Sequence, residues 1–543
     1  MALGLRFRSA SLFLVLLFAG SAIAQDPALP KDATPASASQ ASARNKDLAA
    51  RIDEILSAPE VAHGFWGIEA VDLDSGKTIY ALNPDKFFTP ASNTKLFTTV
   101  TALGVIGPDY RFHTTVESTG TLDKYGRLSG DLVLIGRGDP NLSGRTLPYS
   151  LKTERKLSPT VAIEKLADQV VASGVKVIDG DIVADDSYYP FERYADGWSQ
   201  DDLNYEWGAP ASALTVNDNV MFVSILPGAR PGEKAFININ PLPEGCRVDN
   251  RVLTTPAGTG PRKVVVSREP GSDLLVIWGN VPADDVGASQ SLAITDPADF
   301  AAHLFATLLR QRGVAIYGKP RTHHTEIASL STLTVTVRAS GGGDEKIPPM
   351  TPPPTVLAST ESAPLIQDLK VVNKVSQNLH AELLLRLLGK EKGSSGTIEA
   401  GLEVVRGFLL QAGIRPEEYA LYDGSGLSRQ NLVSPHAVVK LLTFSARQPW
   451  AASLLDTLPT GGVDGTLAER FKDAAMLGRV RAKTGSLGHV NALSGYISTA
   501  GGGTVVFSIF TNNHTLPNHV AIETIDRIVR AIAQEKQQQA SPQ

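Results

Sequence analysis

Two stretches of helix-and-strand pattern, one near the N-terminus and one filling the last third, are separated by residues 108–347, whose character is different. That interruption limits the folds open to the chain. The first stretch predicts a helix over 46–57 and a hairpin in which 64–72 and 77–82 flank Asp74-Ser-Gly76. A second helix starts at Ser92, after Thr89-Pro90, and runs through Phe97 and Val100 to Leu103. The last stretch opens with a Pro-rich crossing at 348–354. It then predicts helices over 364–373, 377–388, 397–412 and 434–447. Strands follow over 477–483, 491–499 and 504–511, the last two joined by Ala500-Gly-Gly-Gly503, and a helix over 521–535 closes the pattern. The two stretches complement each other, so one domain interrupted by an insertion is the economical reading. Inside the insertion, short β-like runs at 132–135, 180–184, 220–225, 263–266 and 274–278 alternate with Gly, Pro and Asp turns. Helical patterns fall at 160–173 and 296–311. Residues 219–290 are almost all strand and turn, which predicts a small β module nested in an α+β insertion.

With 543 residues, 42% hydrophobic and 20% charged, the chain has the make-up of a soluble multidomain protein. The net charge of -5, without a long Lys/Arg run, argues against a nucleic-acid partner. Cys246 is the single cysteine, so no intrachain disulfide can form and a sizeable core must hold the fold. It lies in the turn-like Pro241-Leu-Pro-Glu-Gly-Cys246 with no nearby His, which fits a structural or surface thiol rather than a nucleophile. The ten His residues show no metal-ligand spacing, and His323-His324 reads as a solvated strand end. No metal and no cofactor are expected. Residues 1–24 have the form of an export signal: Arg6 and Arg8, an apolar core over 12–18, then Ala22-Ile23-Ala24. The apolar run is short for a membrane span and no Cys follows it, so neither a transmembrane nor a lipid anchor is expected in the mature chain. Residues 25–45 read as a disordered leader and 537–543 as a polar tail. The expected location is outside the cytoplasm, periplasmic first, with release or wall association as the alternative.

Three short motifs supply chemistry. In Ser92-Asn-Thr-Lys95 the hydroxyl and the amine are three residues apart, on one face of a helix. A serine is a weak nucleophile until a neighbour takes its proton, and Lys95 can do so only when neutral. Burial and a second cation nearby, Lys483, both favour the neutral amine. A helix N-terminus under Ser92 would favour a developing oxyanion. Ser173-Gly-Val-Lys176 has the same spacing, but Gly174 and Val175 mark a helix end, so its face geometry fails. In Ser376-Gln-Asn378, Ser376 can relay a proton between Lys95 and a leaving amine, and Asn378 can hold a substrate amide; the bland alternative is a helix N-cap. In Lys483-Thr-Gly485, Lys483 and Thr484 can grip a carboxylate. Gly485 would let substrate lie against a strand edge, and the backbone N–H of Ser486 could be a second oxyanion donor. No His/Asp pair is needed and the sequence has no Gly-x-Ser-x-Gly elbow, which disfavours a Ser-His-Asp hydrolase.

These residues resemble those of the penicillin-recognising serine enzymes. Within that group the chain looks like the D-alanyl-D-alanine carboxypeptidase/endopeptidase family, peptidase family S13, the type-4 penicillin-binding proteins. The resemblance rests on Pro90-Ala-Ser-Asn-Thr-Lys95, Ser376-Gln-Asn-Leu-His-Ala-Glu382, Asp423-Gly-Ser-Gly-Leu-Ser428, Gly462-Val-Asp-Gly-Thr-Leu467 and Lys483-Thr-Gly-Ser486. Gln377 departs from the family's usual Asp. Ser92 and Ser376 are 284 positions apart, against 107 for Ser376 and Lys483. A large insertion after the first motif is what that family carries and β-lactamases lack. The resemblance implies an α/β, multidomain fold in which a penicillin-recognising serine transferase domain, an antiparallel sheet flanked by helices, is interrupted. The catalytic domain would span 46–107 and 348–536, domain II 108–218 and 291–347, and a nested domain III 219–290.

The implied reaction is acyl transfer through a serine ester, with Ser92, Lys95 and Ser376 catalytic and Asn378, Lys483, Thr484, Gly485 and Ser486 binding substrate. The implied partners are peptidoglycan stem peptides, and β-lactam antibiotics as covalent inhibitors. Two alternatives stand beside it. A β-lactamase-like hydrolase would need a Glu-x-x-Leu-Asn segment between the second and third motifs. The chain has none there, and Leu203-Asn204 comes too early, with Gln200 in the Glu position. A catalytically silent wall-binding protein would tolerate loss of the lysines, yet both are present.

Overall fold

The structure is a computed structural model and describes residues 48–149, 155–269, 271–327, 353–499 and 503–539. The expected signal, the leader, most of the Pro-rich crossing and the end of the polar tail lie outside the described residues.

Patterns from the two ends of the chain meet in one antiparallel sheet. Phe65–Asp72 and Thr78–Leu82 form the hairpin expected around Asp74-Ser-Gly76. Phe65–Asp72 then pairs along its full length with Thr504–Asn512, which pairs with Val490–Ser498, which pairs with Val480–Leu487 at the outer edge. The three inner strands are buried on both faces, so they read as near-continuous apolar runs. Period-two alternation divides their side chains. Ile68, Phe507 and Ile509 face the helices Leu48–Leu56 and Asn518–Gln539, meeting Ile52 and Ile528. Val71, Val506 and Phe510 face a second layer containing Thr94–Val105, Asn378–Lys392, Ile398–Gln411 and Pro435–Ser445, with Phe97, Leu384 and Val438 in that core. Each such side chain, fully buried, contributes about 1.5–3 kcal/mol.

The interruption has its own cores. A mixed five-stranded sheet runs Pro320–Thr325, Ile182–Pro190, Leu132–Ile135, His113–Ser118, Thr355–Glu361. The helices Val161–Ala172 and Pro297–Gln311 pack on it through Ile163, Phe305 and Ile182. Asp296 caps the second helix by accepting from the Asp299 N–H at 3.0 Å, and Pro297 opens it. Farther along, two three-stranded sheets share a core of Val223, Ile225, Val252 and Ile277. Within the first of these, Ala288–Ala293 pairs with Val220–Leu226, so ladder bonding continues to Ala293.

The α/β class with a helix-flanked antiparallel sheet is as the sequence implied. Particulars differ. The third motif lies inside its strand, Val480–Leu487, and not at the strand's end. The helix expected over 364–373 is α only through Lys370, then widens into one π turn, Val371–Val375. His323-His324 is part of a strand parallel to Ile182–Pro190, and His324 is held at 2.7 Å by Asp186.

Candidate active site

Ser92 sits in a short 3-10 turn, Ala91–Asn93, that leads into Thr94–Val105. Ala91, just before it, has φ 47°, a conformation that costs a non-glycine residue energy and is kept only where packing enforces it. Gly426, at φ 86°, packs closely against this turn: a Cβ there would lie 1.8 Å from the Ala91 carbonyl oxygen. The turn also lies on the outer strand. Asn93 Nδ2 donates to the Lys483 carbonyl at 3.2 Å, and a Cβ on Gly485 would lie 2.7 Å from the Pro90 oxygen. Gly485 therefore makes room for the chain's own serine turn.

Lys95 has no solvent exposure, and its amine has three neighbours. It lies 2.9 Å from Ser92 Oγ, 2.6 Å from Asn378 Oδ1 and 2.7 Å from the Ser425 carbonyl. Asn378 Nδ2 donates to the Trp207 carbonyl at 2.8 Å, which fixes the amide with its oxygen towards Lys95. Two of the three neighbours can only accept. A neutral amine has two N–H bonds for them, and its lone pair is then directed at the Ser92 hydroxyl. Burial lowers the Lys95 pKa to about 7, against the opposing pull of Asp423 and Glu382.

The segment 423–428 explains how a carbonyl reaches Lys95. Asp423 accepts from the N–H groups of Gly426 and Ser428 and from Asn431 Nδ2, and Glu382 accepts from those of Gly424 and Ser425. Two buried carboxylates thus fold the loop so that the Ser425 oxygen points at Lys95. Burial, then the neighbouring Asp423, raises the Glu382 pKa to about 7.

Lys483 is equally buried. Its amine donates to Ser376 Oγ at 2.8 Å and to the Thr484 carbonyl at 2.9 Å. Burial and the charge of Lys95 hold its pKa well below the usual lysine range. Ser376 is left-handed, φ 67°, where the π turn ends, and Gln377 caps the next helix by accepting from the Leu379 N–H at 2.8 Å. Thr484 Oγ1 lies 2.9 Å from Thr466 Oγ1, on the loop that Asp464 anchors by pairing with Lys374. Beyond the strand's start the edge is open. The Ala482 N–H donates outward to Pro459, so alternation turns the Thr484 and Ser486 N–H groups to the same open side.

All eight residues singled out in the sequence therefore gather on one edge of the sheet. Ser376 is bonded by Lys483, and no direct Lys95–Ser376 hydrogen bond forms. Ser92, Asn378 and Ser486 line a cleft of about 330 Å³ together with Asp202, Trp207 and Arg429. The last three were not anticipated. Asp202 and Trp207 arrive from the insertion, and Trp207 Nε1 donates to Asp202 at 2.8 Å. The charge and aromatic character of these side chains gave no local signal that they would face Ser92.

The sequence matches the family described as D-Ala-D-Ala carboxypeptidase 3 (S13) over residues 48–340 and 343–535. A D-alanyl-D-alanine carboxypeptidase from Actinomadura sp. (strain R39) is 34% identical over 517 residues, 93% of this chain and 88% of the relative. The D-alanyl-D-alanine carboxypeptidase DacB of Haemophilus influenzae is 27% identical over 452 residues, 83% of this chain and 85% of the relative. The crystal structure of penicillin binding protein 4 (dacB) from that organism superposes with a TM-score of 0.72 at 25% identity, covering 89% of this chain and 99% of the other. Its complex with a β-lactam superposes with a TM-score of 0.69 at 23% identity, covering 90% and 99%. Fold, motif geometry and sequence agree: this chain belongs to the D-Ala-D-Ala carboxypeptidase 3 (S13) family.

Proposed function

We propose that the protein is a peptidoglycan DD-carboxypeptidase and DD-endopeptidase that works through an acyl-serine. The observation that carries this reading is the Lys95 amine, which lies 2.9 Å from Ser92 Oγ with its other two neighbours restricted to accepting. Ser92 Oγ attacks the carbonyl carbon of a D-Ala–D-amino acid bond while Lys95 takes the hydroxyl proton. The Ser92 and Ser486 N–H groups stabilise the oxyanion. As the C–N bond breaks, Ser376 gives its hydroxyl proton to the departing amine and is reprotonated with the proton that Lys95 took from Ser92, which returns Lys95 to its neutral form. Water then splits the ester and releases the shortened peptide. Lys483 and Thr484 hold the substrate carboxylate, and Asn378 orients the peptide amide. A carboxylate beside Lys483 keeps that lysine protonated, which in turn favours neutral Lys95.

Free D-Ala as leaving group gives carboxypeptidation, and a side-chain-linked diamino acid gives endopeptidation of a cross-link. Asp202 and Arg429, at the same cleft, offer opposite charges to such a side chain. Penicillins acylate Ser92, in keeping with the β-lactam complex of the H. influenzae relative. The substrate places the mature protein outside the cytoplasm, periplasmic by preference, after removal of 1–24. The catalytic domain spans 46–107 and 348–536, and domain II, 108–218 and 291–347, surrounds a nested β domain over 219–290.

The test is digestion of purified cross-linked and uncross-linked wall peptides, with and without penicillin, read by mass spectrometry. Penicillin-sensitive loss of D-Ala and of cross-links is the expected result. No cleavage of either substrate by folded protein would overturn the reading.

A further inference from the structure

Gln377 stands between the two serine-side contacts of the second motif: Ser376 Oγ on Lys483 and Asn378 Oδ1 on Lys95. Its own side chain is committed at both ends. The Oε1 atom caps the helix at Leu379, and Nε2 donates at 3.0 Å to Asp218 Oδ2. Turning the amide over would lose both bonds. Asp218 comes from the insertion, where Asn217, Asp218 and Asn219 have φ 51°, 55° and 53° in succession. The turn is braced by Asn219, which accepts from the Val216 N–H and donates to the Pro210 carbonyl, and by Asn217 Nδ2 on the Val220 carbonyl.

The Asp218 carboxylate is fully buried. Besides Gln377 it receives both Arg145 guanidinium nitrogens at 2.9 and 2.7 Å, Arg155, and His380 Nε2 at 3.1 Å. His380, one turn into the motif helix, meets Asp368 through Nδ1 at 2.6 Å. Both ring nitrogens therefore face carboxylates and both carry protons. Asp368 in turn lies on the helix that runs into the π turn before Ser376.

We propose that Asp218 is a positioning residue of the catalytic centre: acting through Gln377 and His380, it fixes the turn that presents Ser376 and Asn378 to the two lysines. This rests on the acyl-serine reading above. A second carboxylate at 377 would face that of Asp218, whereas an amide donates to it.

The two side chains can exchange roles, which makes the test a double-mutant cycle. Gln377→Glu sets two carboxylates against each other. Asp218→Asn leaves three cations without their shared anion. The double variant restores one carboxylate and one amide across the same contact. Two rates are read: acylation by a fluorescent penicillin and turnover of an N-acylated D-Ala-D-Ala peptide. Melting temperature is followed in parallel. In Gln377→Glu, kcat and acylation fall roughly ten- to hundred-fold with KM nearly unchanged, as expected for misplacement of reacting groups. Most of the loss returns in the double variant. Gln377→Leu removes the contact without adding charge and shows the same kcat split, which covers the case in which Gln377→Glu does not fold. Wild-type rates in folded Gln377→Glu or Gln377→Leu, or a double variant with restored melting temperature but no restored rate, would overturn the proposal. Absence of both activities in the wild-type protein would instead overturn the reading of the site, and this role with it.

Discussion

The pocket around Lys95 and the pocket around Lys483 hold the same side chain, both without solvent exposure, in opposite electrical surroundings. Lys95 feels Asp423 and Glu382 and has two fixed acceptors, and burial still holds its pKa to about 7. Lys483 has only a serine hydroxyl, one carbonyl and the repulsion of Lys95. Among the described residues no carboxylate pairs with it. A buried ammonium without an anion is costly, and an incoming carboxylate relieves that cost. On the proposed mechanism the first pocket serves a proton transfer, and the second receives the substrate's carboxylate.

The most severe way to break this comparison is to remove its target. Ser92→Ala should lower kcat by on the order of 10⁵–10⁶-fold and abolish covalent labelling by penicillin. A labelled Ser92→Ala protein would mean that the nucleophile lies elsewhere. Arginine at each lysine separates the two roles. Lys95→Arg cannot become neutral and should lose about 10³–10⁴-fold in acylation. Lys483→Arg keeps a cation for the carboxylate and should lose about tenfold, mostly in KM. Equal losses would erase the distinction.

The pH profile sharpens it further. Lys95 is an inactive ammonium below its pKa and a base above it, so kcat/KM should fall about tenfold per pH unit below pH 7. On the proposed mechanism it should fall again on the alkaline side as Lys483 loses its proton, at a pH well below the usual lysine range. A flat profile from pH 5 to 9 would contradict the assignment of Lys95. Asp423 pulls the Lys95 pKa upward, so Asp423→Asn should move the acid limb to lower pH, by about one unit or less, in stopped-flow acylation. The smallest effect is on stability. A lysine whose pKa is lowered by folding binds fewer protons in the native state, so its contribution worsens as pH drops below the unfolded value. Lys483→Met should therefore raise the melting temperature near pH 7 by roughly a few degrees, with less gain above pH 10.

What could be read in the sequence was local. Asp296-Pro297 opens a helix where cap and ring geometry demand one, and Asp74-Ser-Gly76 turns a hairpin. The three motifs named all eight residues gathered at the edge because each motif fixes its own spacing within a few positions. The remainder depended on partners far along the chain. His113–Ser118 and Thr355–Glu361 pair across the insertion and had no legible signal. Trp207 and Asp202 reach the cleft from the insertion, and Asp218 reaches Gln377 across 159 positions. The closeness of Pro90 to Gly485 likewise shows only in the folded chain.

The register Phe65↔Asn512 sets an order of events during synthesis. The ribosome must make nearly the whole polypeptide before the N-terminal hairpin finds its neighbour. At about 5–20 residues per second, the proposed nucleophile Ser92 waits for tens of seconds without the partners of Lys95, without Lys483 and without the Ser486 N–H. The interrupting domains have complete cores of their own and can fold in that interval. On the proposed mechanism the site is therefore complete only once the last strands are in place.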